Sequence, residues 1–278
     1  RLGRNPDALL MRRPLRLASL DRQFLLSAPP LPAPLHGAAA LLFARGLSLR
    51  DKLAALRLVR ALRQCQWQPP RDWTVASLMQ YHAQPEALQR QVWTPLCVAA
   101  LNTPPDQASA ALFAAVLRDT LNGSRRHSDV LLPCVDLSAL WPDMVALQVK
   151  MRYGDTVRML SPSASGVDVN DERFDAAVLA VPPAIAARLL ANDLRNTPSA
   201  GLLRALQAFD YQPIATLNLR LAAAWSLPEP MLMLREDPDR GHAGQWLFDR
   251  ARLTGKSPQG ELAVVCSTAK RLVNLPRQ

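Results

Sequence analysis

Hydrophobic and polar positions follow two different periods along this chain, and the change falls near its middle. In residues 48–64, "SLRDKLAALRLVRALRQ", Leu49, Leu53, Leu56, Val59 and Leu62 recur at steps of three and four, the spacing of one helical stripe. Ser48 reads as the N-cap and Asp51 as the acid of the first turn. Segments 74–83, 84–102 and 104–121 read as further helices. Thr74 caps the first, and Pro95 kinks or breaks the second. The third is rich in Ala, which permits close packing or leaves room for a ligand. After residue 148 the spacing shortens to two. Runs at 149–160 and 166–183 read as strands, with a turn at Asn170–Asp171 and an end at Pro182 and Pro183, and 184–192 returns to helix. The runs 211–222, 231–237, 244–250 and 261–268 read as four strands of an antiparallel sheet, with 237–244 turning the second into the third. Trp246 and Phe248 then share one strand face, and Gln245, Leu247 and Asp249 the other.

A helical block followed by a strand block predicts an α+β fold with part of a second domain inserted. The pattern divides the chain into 1–146, mostly helical, 147–192, and the antiparallel sheet of 193–278. With 278 residues and 49% hydrophobic composition, the chain has ample material for a core, built from Leu and Ala because aromatics make up only 5%. Pro residues cluster at 28–36 and predict an extended connection there. The four cysteines are far apart and read as free thiols of a reducing cytoplasm; no metal-binding spacing occurs.

The formal net charge of +10 changes the picture of partners. It favours a phosphate-bearing cofactor, an anionic membrane surface or nucleic acid. The basic residues interleave with Leu along helices and form no block like a nucleic-acid tail, which argues against nucleic acid. Helix 48–64 is either a solvated surface helix or a helix lying flat on anionic lipid. No apolar run is long enough to span a bilayer. There is no Gly-rich dinucleotide fingerprint, P-loop, HExxH or GxSxG, and the four histidines are scattered. Any redox chemistry would therefore belong to a cofactor.

Several stretches resemble one family. "FDAAVLAVPPAIAARLL" (174–190) is similar to the strand and Pro-Pro turn of flavin-containing amine oxidases and phytoene-desaturase-type enzymes. "WTPLCVAALNTPPDQASAALFAAVLRDTL" (93–121), "SDVLLPCVDLSALWP" (128–142), "GQWLFDR" (244–250) and "APLHGAAALLFARGLSLRDKL" (33–53) resemble the bacterial squalene-associated FAD-dependent desaturases, the hydroxysqualene dehydroxylases of hopanoid biosynthesis. Phytoene desaturases, amine oxidases and a lipid-binding remnant without cofactor are the alternative readings. Family members begin with a Rossmann unit and end with a second flavin-contacting segment. Neither is legible here, and the chain opens on Arg1 in helix-like text, so the expectation is an internal segment.

The resemblance implies FAD as cofactor, with Val157 at its adenine end and Ala180, Val181, Pro182 and Pro183 beside it. On this reading 147–192 is part of the FAD-binding domain, and the flanking stretches form the substrate domain. It implies an apolar triterpene substrate, a cytoplasmic protein peripheral to the inner face of the membrane, and squalene-synthase-like enzymes as partners. The reaction it implies removes an allylic hydroxyl, which needs a proton donor and a dry apolar site. Asp136 is a candidate acid or a helix N-cap; Asp249 is a candidate acid or a salt-bridge partner. Trp246 and Phe248 either stabilise a cation or pack a strand face, and Trp93 and Gln245 join them as substrate-side residues. Asn102 and Thr103 either orient polar atoms near the flavin or form a helix end.

Overall fold

A computed structural model describes residues 5–32, 35–194, 200–257 and 259–275. Residues 1–4, Ala33 and Pro34 of the Pro-rich connection, residues 195–199, Pro258 and residues 276–278 of the tail lie outside the described residues. Two units partition the chain: residues 1–145 with 212–278, and residues 146–211.

The larger unit begins with four short strands that sequence pattern alone did not mark as a set. β1 (Leu10–Arg13) pairs antiparallel with β4 (Val130–Pro133), more than a hundred residues away, and β2 (Arg16–Ala18) pairs with β3 (Leu25–Ser27). Between β3 and β4 lies the helical body: α1 (Leu35–Leu42), α2 (Leu49–Gln64), α3 (Val75–Tyr81), α4 (Thr94–Leu101) and α5 (Ala110–Leu121).

α2 starts where the sequence predicts. Ser48 Oγ accepts from the Asp51 N–H, and Asp51 accepts from the Ser48 N–H, a reciprocal capping box. Its apolar stripe is oriented differently from the expectation. The buried side carries Asp51, Ala54, Ala55, Leu58 and Leu62, while Leu49, Leu53 and Leu56 are exposed. Small Ala side chains let the helix approach the core closely, so they win the inner face.

Pro95 is accommodated rather than breaking the chain. Gln89–Trp93 forms one π-helical turn, and the Thr94 N–H donates to the Gln89 carbonyl. That wider turn is where the extra residue is absorbed, and Pro95 then falls in the first turn of α4, where its missing N–H costs nothing. The helix expected from 104 begins only at Ala110, capped by Ser109, because Pro104 heads a turn that accepts the N–H groups of Gln107 and Ala108.

The smaller unit contains a three-stranded meander, β5 (Leu160–Ser163), β6 (Gly166–Val169) and β7 (Glu172–Phe174), followed by α6 (Pro183–Leu194) and α7 (Ala200–Gln207). The turn expected at Asn170–Asp171 is present, and Asn170 has positive φ. The strand expected to run on to Val181 stops at Phe174. Residues 175–181 join no ladder among the described residues, and Val178 is 92% exposed. This unit ends at Tyr211, beyond the boundary at 192, because α7 packs on α6 and the Tyr211 hydroxyl accepts from the Ala184 N–H.

The chain returns to the larger unit as the predicted sheet. β8 (Ala215–Arg220), β9 (Met231–Met233), β10 (Trp246–Asp249) and β11 (Glu261–Cys266) pair antiparallel in the order β8-β11-β10-β9, and α8 (Arg250–Thr254) follows β10. The period of two is realised. Trp246 and Met233 join the core of the helical body, with Phe248, Met231 and Val265 packed against it. Leu232, Leu247, Leu262 and Leu227 form a second, smaller cluster.

Candidate functional site

A cleft of about 380 Å³ opens in the larger unit where three segments converge. The first is the loop after β2: Ser19 bridges to Met233, the Leu20 N–H donates to the Met233 carbonyl, and Asp21 follows. The second is the π turn and the start of α4, which present Arg90, Thr94 and Val98. The third is the continuation of β9 through Leu234 to Glu236, closed back by the hairpin at Gly241, whose φ of 74° suits glycine. Phe24, Val98, Met233 and Leu234 supply apolar wall; Asp21, Arg90, Arg235 and Glu236 supply charge.

The two carboxyl groups beside Arg235 have opposite environments. The Ser19 hydroxyl and the Gln23 N–H donate to Asp21, and these bonds, helped by Arg235, hold its carboxyl below the ordinary value. Around Glu236, desolvation raises the carboxyl above its ordinary value and outweighs the lowering by the hydrogen bond from Gln245. Glu236 is exposed as a residue, at the cleft's edge, so this tuning is modest. Buried Gln245 is itself fixed: its Oε1 accepts from the Ser267 N–H at 2.6 Å, and its Nε2 donates to the Ser267 carbonyl and to Glu236. Nearby Cys266 registers the same carboxylate, burial and the Glu236 charge both pushing its thiol up. Two carboxyl groups driven apart in this way can divide the roles of acid and fixed charge.

Of the candidate site residues named from the sequence, Gln245 alone lines this cleft. Trp246 is buried in the core, and Phe248 packs against it, which resolves the choice between packing and ligand wall in favour of packing. Trp93 is also core: its Nε1 donates to Gln84 Oε1 at 3.0 Å, and its ring meets Phe113 edge-on. Its neighbours Thr94 and Pro95 face the cleft instead. Asn102 is a left-handed C-cap with φ 45°; its amide donates to the Gln212 carbonyl and accepts from the Thr268 N–H, tying α4 to the segments that enter β8 and leave β11. Thr103 donates to the Leu101 carbonyl in the same turn.

Neither predicted acid lines this cleft. Asp249 is 0% exposed and caps α8. Burial alone would raise its pKa, but the Ser226 hydroxyl and the N–H groups of Arg252 and Leu227 outweigh it and hold the carboxylate below the ordinary range. Its partner is therefore this donor set rather than Arg250. Asp136 precedes the short helix Leu137–Leu140 without a side-chain cap bond and pairs on the surface with Lys256 at 3.1 Å. Sequence reasoning missed Glu236 and Asp21 because both sit in loops: Glu236 follows Arg235 directly in the chain, and only the fold brings Asp21 to the same cleft.

The residues expected along FAD lie in the smaller unit, outside its strands. Asn170 holds the stretch containing Val157 by accepting from the N–H groups of Arg158 and Met159 and donating to Thr156. Ala180, Val181 and Pro182 are exposed ahead of α6, whose Pro183 begins the helix. They form no pyrophosphate cradle: the first N–H groups of α6 are taken by Tyr211 and by the Pro182 carbonyl. Among the described residues, this stretch offers FAD exposed backbone and no anchor for its pyrophosphate.

The fold is similar to those of two solved oxidases. The chain resembles putrescine oxidase bound to putrescine with a TM-score of 0.59 at 13% identity, over 96% of this chain and 62% of that one. It resembles a putative protoporphyrinogen oxidase from Exiguobacterium sp. equally, at 0.59 and 14%, over 95% and 61%. Residues 21–277 match the model of the flavin containing amine oxidoreductases, and the chain belongs to that family. Among curated relatives it is 31% identical over 208 residues to a hydroxysqualene dehydroxylase of Sinorhizobium fredii, covering 69% of this chain and 43% of the relative. It is 29% identical over 198 residues to that of Rhodopseudomonas palustris, covering 66% and 41%. The chain thus spans less than half the length of the curated relatives it matches.

Proposed function

We propose that this chain is the substrate-side part of an FAD-dependent oxidoreductase that reductively dehydroxylates hydroxysqualene to squalene in hopanoid biosynthesis, with Glu236 as the proton donor. The similarity to two hydroxysqualene dehydroxylases supports the substrate class. The single observation carrying the chemistry is the Gln245–Glu236 pair at the cleft. A neutral carboxyl can accept the Gln245 N–H on one oxygen and turn its O–H toward a substrate hydroxyl. Protonation lets the C–O bond break with water as leaving group, and Glu236 is left ionised. The raised pKa favours the proton-bearing form that this step consumes. Asp21, kept ionised, together with Phe24 and Met233, offers charge and apolar surface near the allylic carbon. Reduced flavin, when bound, would supply the hydride; the family resemblance assigns Val157 and Ala180, Val181, Pro182 and Pro183 to its binding.

The test is anaerobic incubation of the purified protein, in its full coding length, with reduced FAD and hydroxysqualene. The proposal expects squalene, water and oxidised flavin in equal amounts. Turnover of phytoene or of an amine without turnover of hydroxysqualene would overturn it, as would failure to bind flavin.

A further inference from the structure

α2 carries two apolar faces, and only one of them is used by the core. Leu58 and Leu62, with Ala54 and Ala55, are buried. On the opposite side Leu49, Leu53 and Leu56 are 68%, 48% and 44% exposed, at the i, i+4, i+7 spacing of a single stripe. Leu42 and Phe43 extend that surface: both are exposed, and Lys52 Nζ donates to the Leu42 carbonyl at 2.7 Å, which holds the end of α1 alongside α2.

Charge around this stripe has one sign. Arg50, Lys52, Arg57, Arg60 and Arg63 flank the leucines, and Arg57 Nε reaches the Leu53 carbonyl, laying its stem along the stripe. From Arg22 to Arg71 the sequence holds eight Lys or Arg residues and a single acid. That acid, Asp51, is buried in the capping box on the inner side. Among the described residues, none of the five flanking cations makes an ion pair.

We infer that the outer face of α2, with Leu42 and Phe43, is a docking surface for an anionic lipid bilayer. A narrow Leu and Phe stripe can enter the acyl boundary while the cations on both sides stay at headgroup depth. The charge complementarity selects the occupant. A solvated surface helix would not expose three leucines in register, and a second copy of the chain would bring the same cations face to face. The inference does not depend on the dehydroxylation chemistry, since lipid binding can be read without flavin or substrate.

Co-sedimentation with vesicles of equimolar phosphatidylglycerol and phosphatidylcholine tests it, with pure phosphatidylcholine as the neutral arm. The native protein should bind the anionic vesicles at least about tenfold more tightly than the neutral ones, with the advantage falling as salt rises. Leu53→Gln with Leu56→Gln should weaken binding by at least about tenfold through lost insertion. Arg57→Gln with Arg60→Gln should weaken it by a similar factor and flatten the salt dependence. All four side chains are exposed, so both pairs should keep the native melting profile. Equal binding of native protein and variants overturns the inference, as does no binding by the native protein. A lipid-free dimer that the leucine variant converts to monomer would assign the face to a second copy and also overturn it.

Discussion

Replacing Asp249 by Asn should destabilise the junction of β10 and α8 before it touches any chemistry. The native carboxylate is 0% exposed and accepts from Ser226 Oγ at 2.6 Å, the Leu227 N–H at 2.9 Å and the Arg252 N–H at 2.9 Å. Asn keeps the shape but offers one acceptor oxygen. If its amide group replaces Oδ1, it faces the Arg252 N–H and the cap of α8 is lost. If it replaces Oδ2, it faces the Leu227 N–H. Either way one buried donor meets another, and a hydrogen bond to a charged acceptor disappears. Each such bond is worth about 1.5–3 kcal/mol, and an orphaned buried donor costs about 1–3 kcal/mol, so the net loss should be about 3 kcal/mol, a large part of a typical domain's stability. Ser226→Ala removes one donor and should cost about 1 kcal/mol. Urea unfolding followed by circular dichroism measures both. The lowered pKa adds a signature: the contribution of Asp249 is present above the ordinary carboxylate range and is lost as pH falls through the folded value, so the gap between native protein and Asp249→Asn should close in acid. An Asp249→Asn protein of native stability that has lost turnover would refute the reasoning and return Asp249 to the chemistry.

The remaining expectations are independent of that one. Asn102→Gly keeps the left-handed φ but loses two hydrogen bonds, and should cost about 2 kcal/mol in denaturant unfolding; Asn102→Ala should cost more because it also strains the cap. Cys97 is fully buried, with its thiol pushed up to about 11 by burial, so iodoacetamide near neutral pH should label exposed Cys65 in the folded protein and Cys97 only after unfolding. For Glu236, the unfolded chain releases its proton near 4.5 and the folded chain at a higher pH. Between those values the folded state alone holds the proton, so its contribution to stability falls as pH rises through that window. Melting curves of Glu236→Gln across the same window should lack this fall.

Elements set by neighbours in sequence were the legible ones. The Ser48–Asp51 capping box, the Asn170 turn and the alternation of Trp246, Leu247 and Phe248 all follow from local spacing, and each is present in the fold. What could not be read depends on distant partners. Both sides of α2 contain leucines, so only packing decides that Ala54, Ala55 and Leu58 face inward. β1 finds its partner β4 far along the chain. Residues 175–181 have strand composition but no neighbouring strand among the described residues. The cleft was the least legible part, because Asp21, Glu236 and Gln245 meet only when β9 closes its hairpin and the loop after β2 bridges to Met233.

The central claim is that Glu236 hands a proton to the departing hydroxyl. Single-turnover oxidation of the reduced flavoprotein by hydroxysqualene, compared between native protein and Glu236→Gln, tests it most directly. The account predicts that the variant binds flavin and substrate as the native protein does, while the rate falls by about 10²–10⁴ and loses its dependence on pH. A variant that reoxidises at the native rate, with the native pH profile, would contradict it.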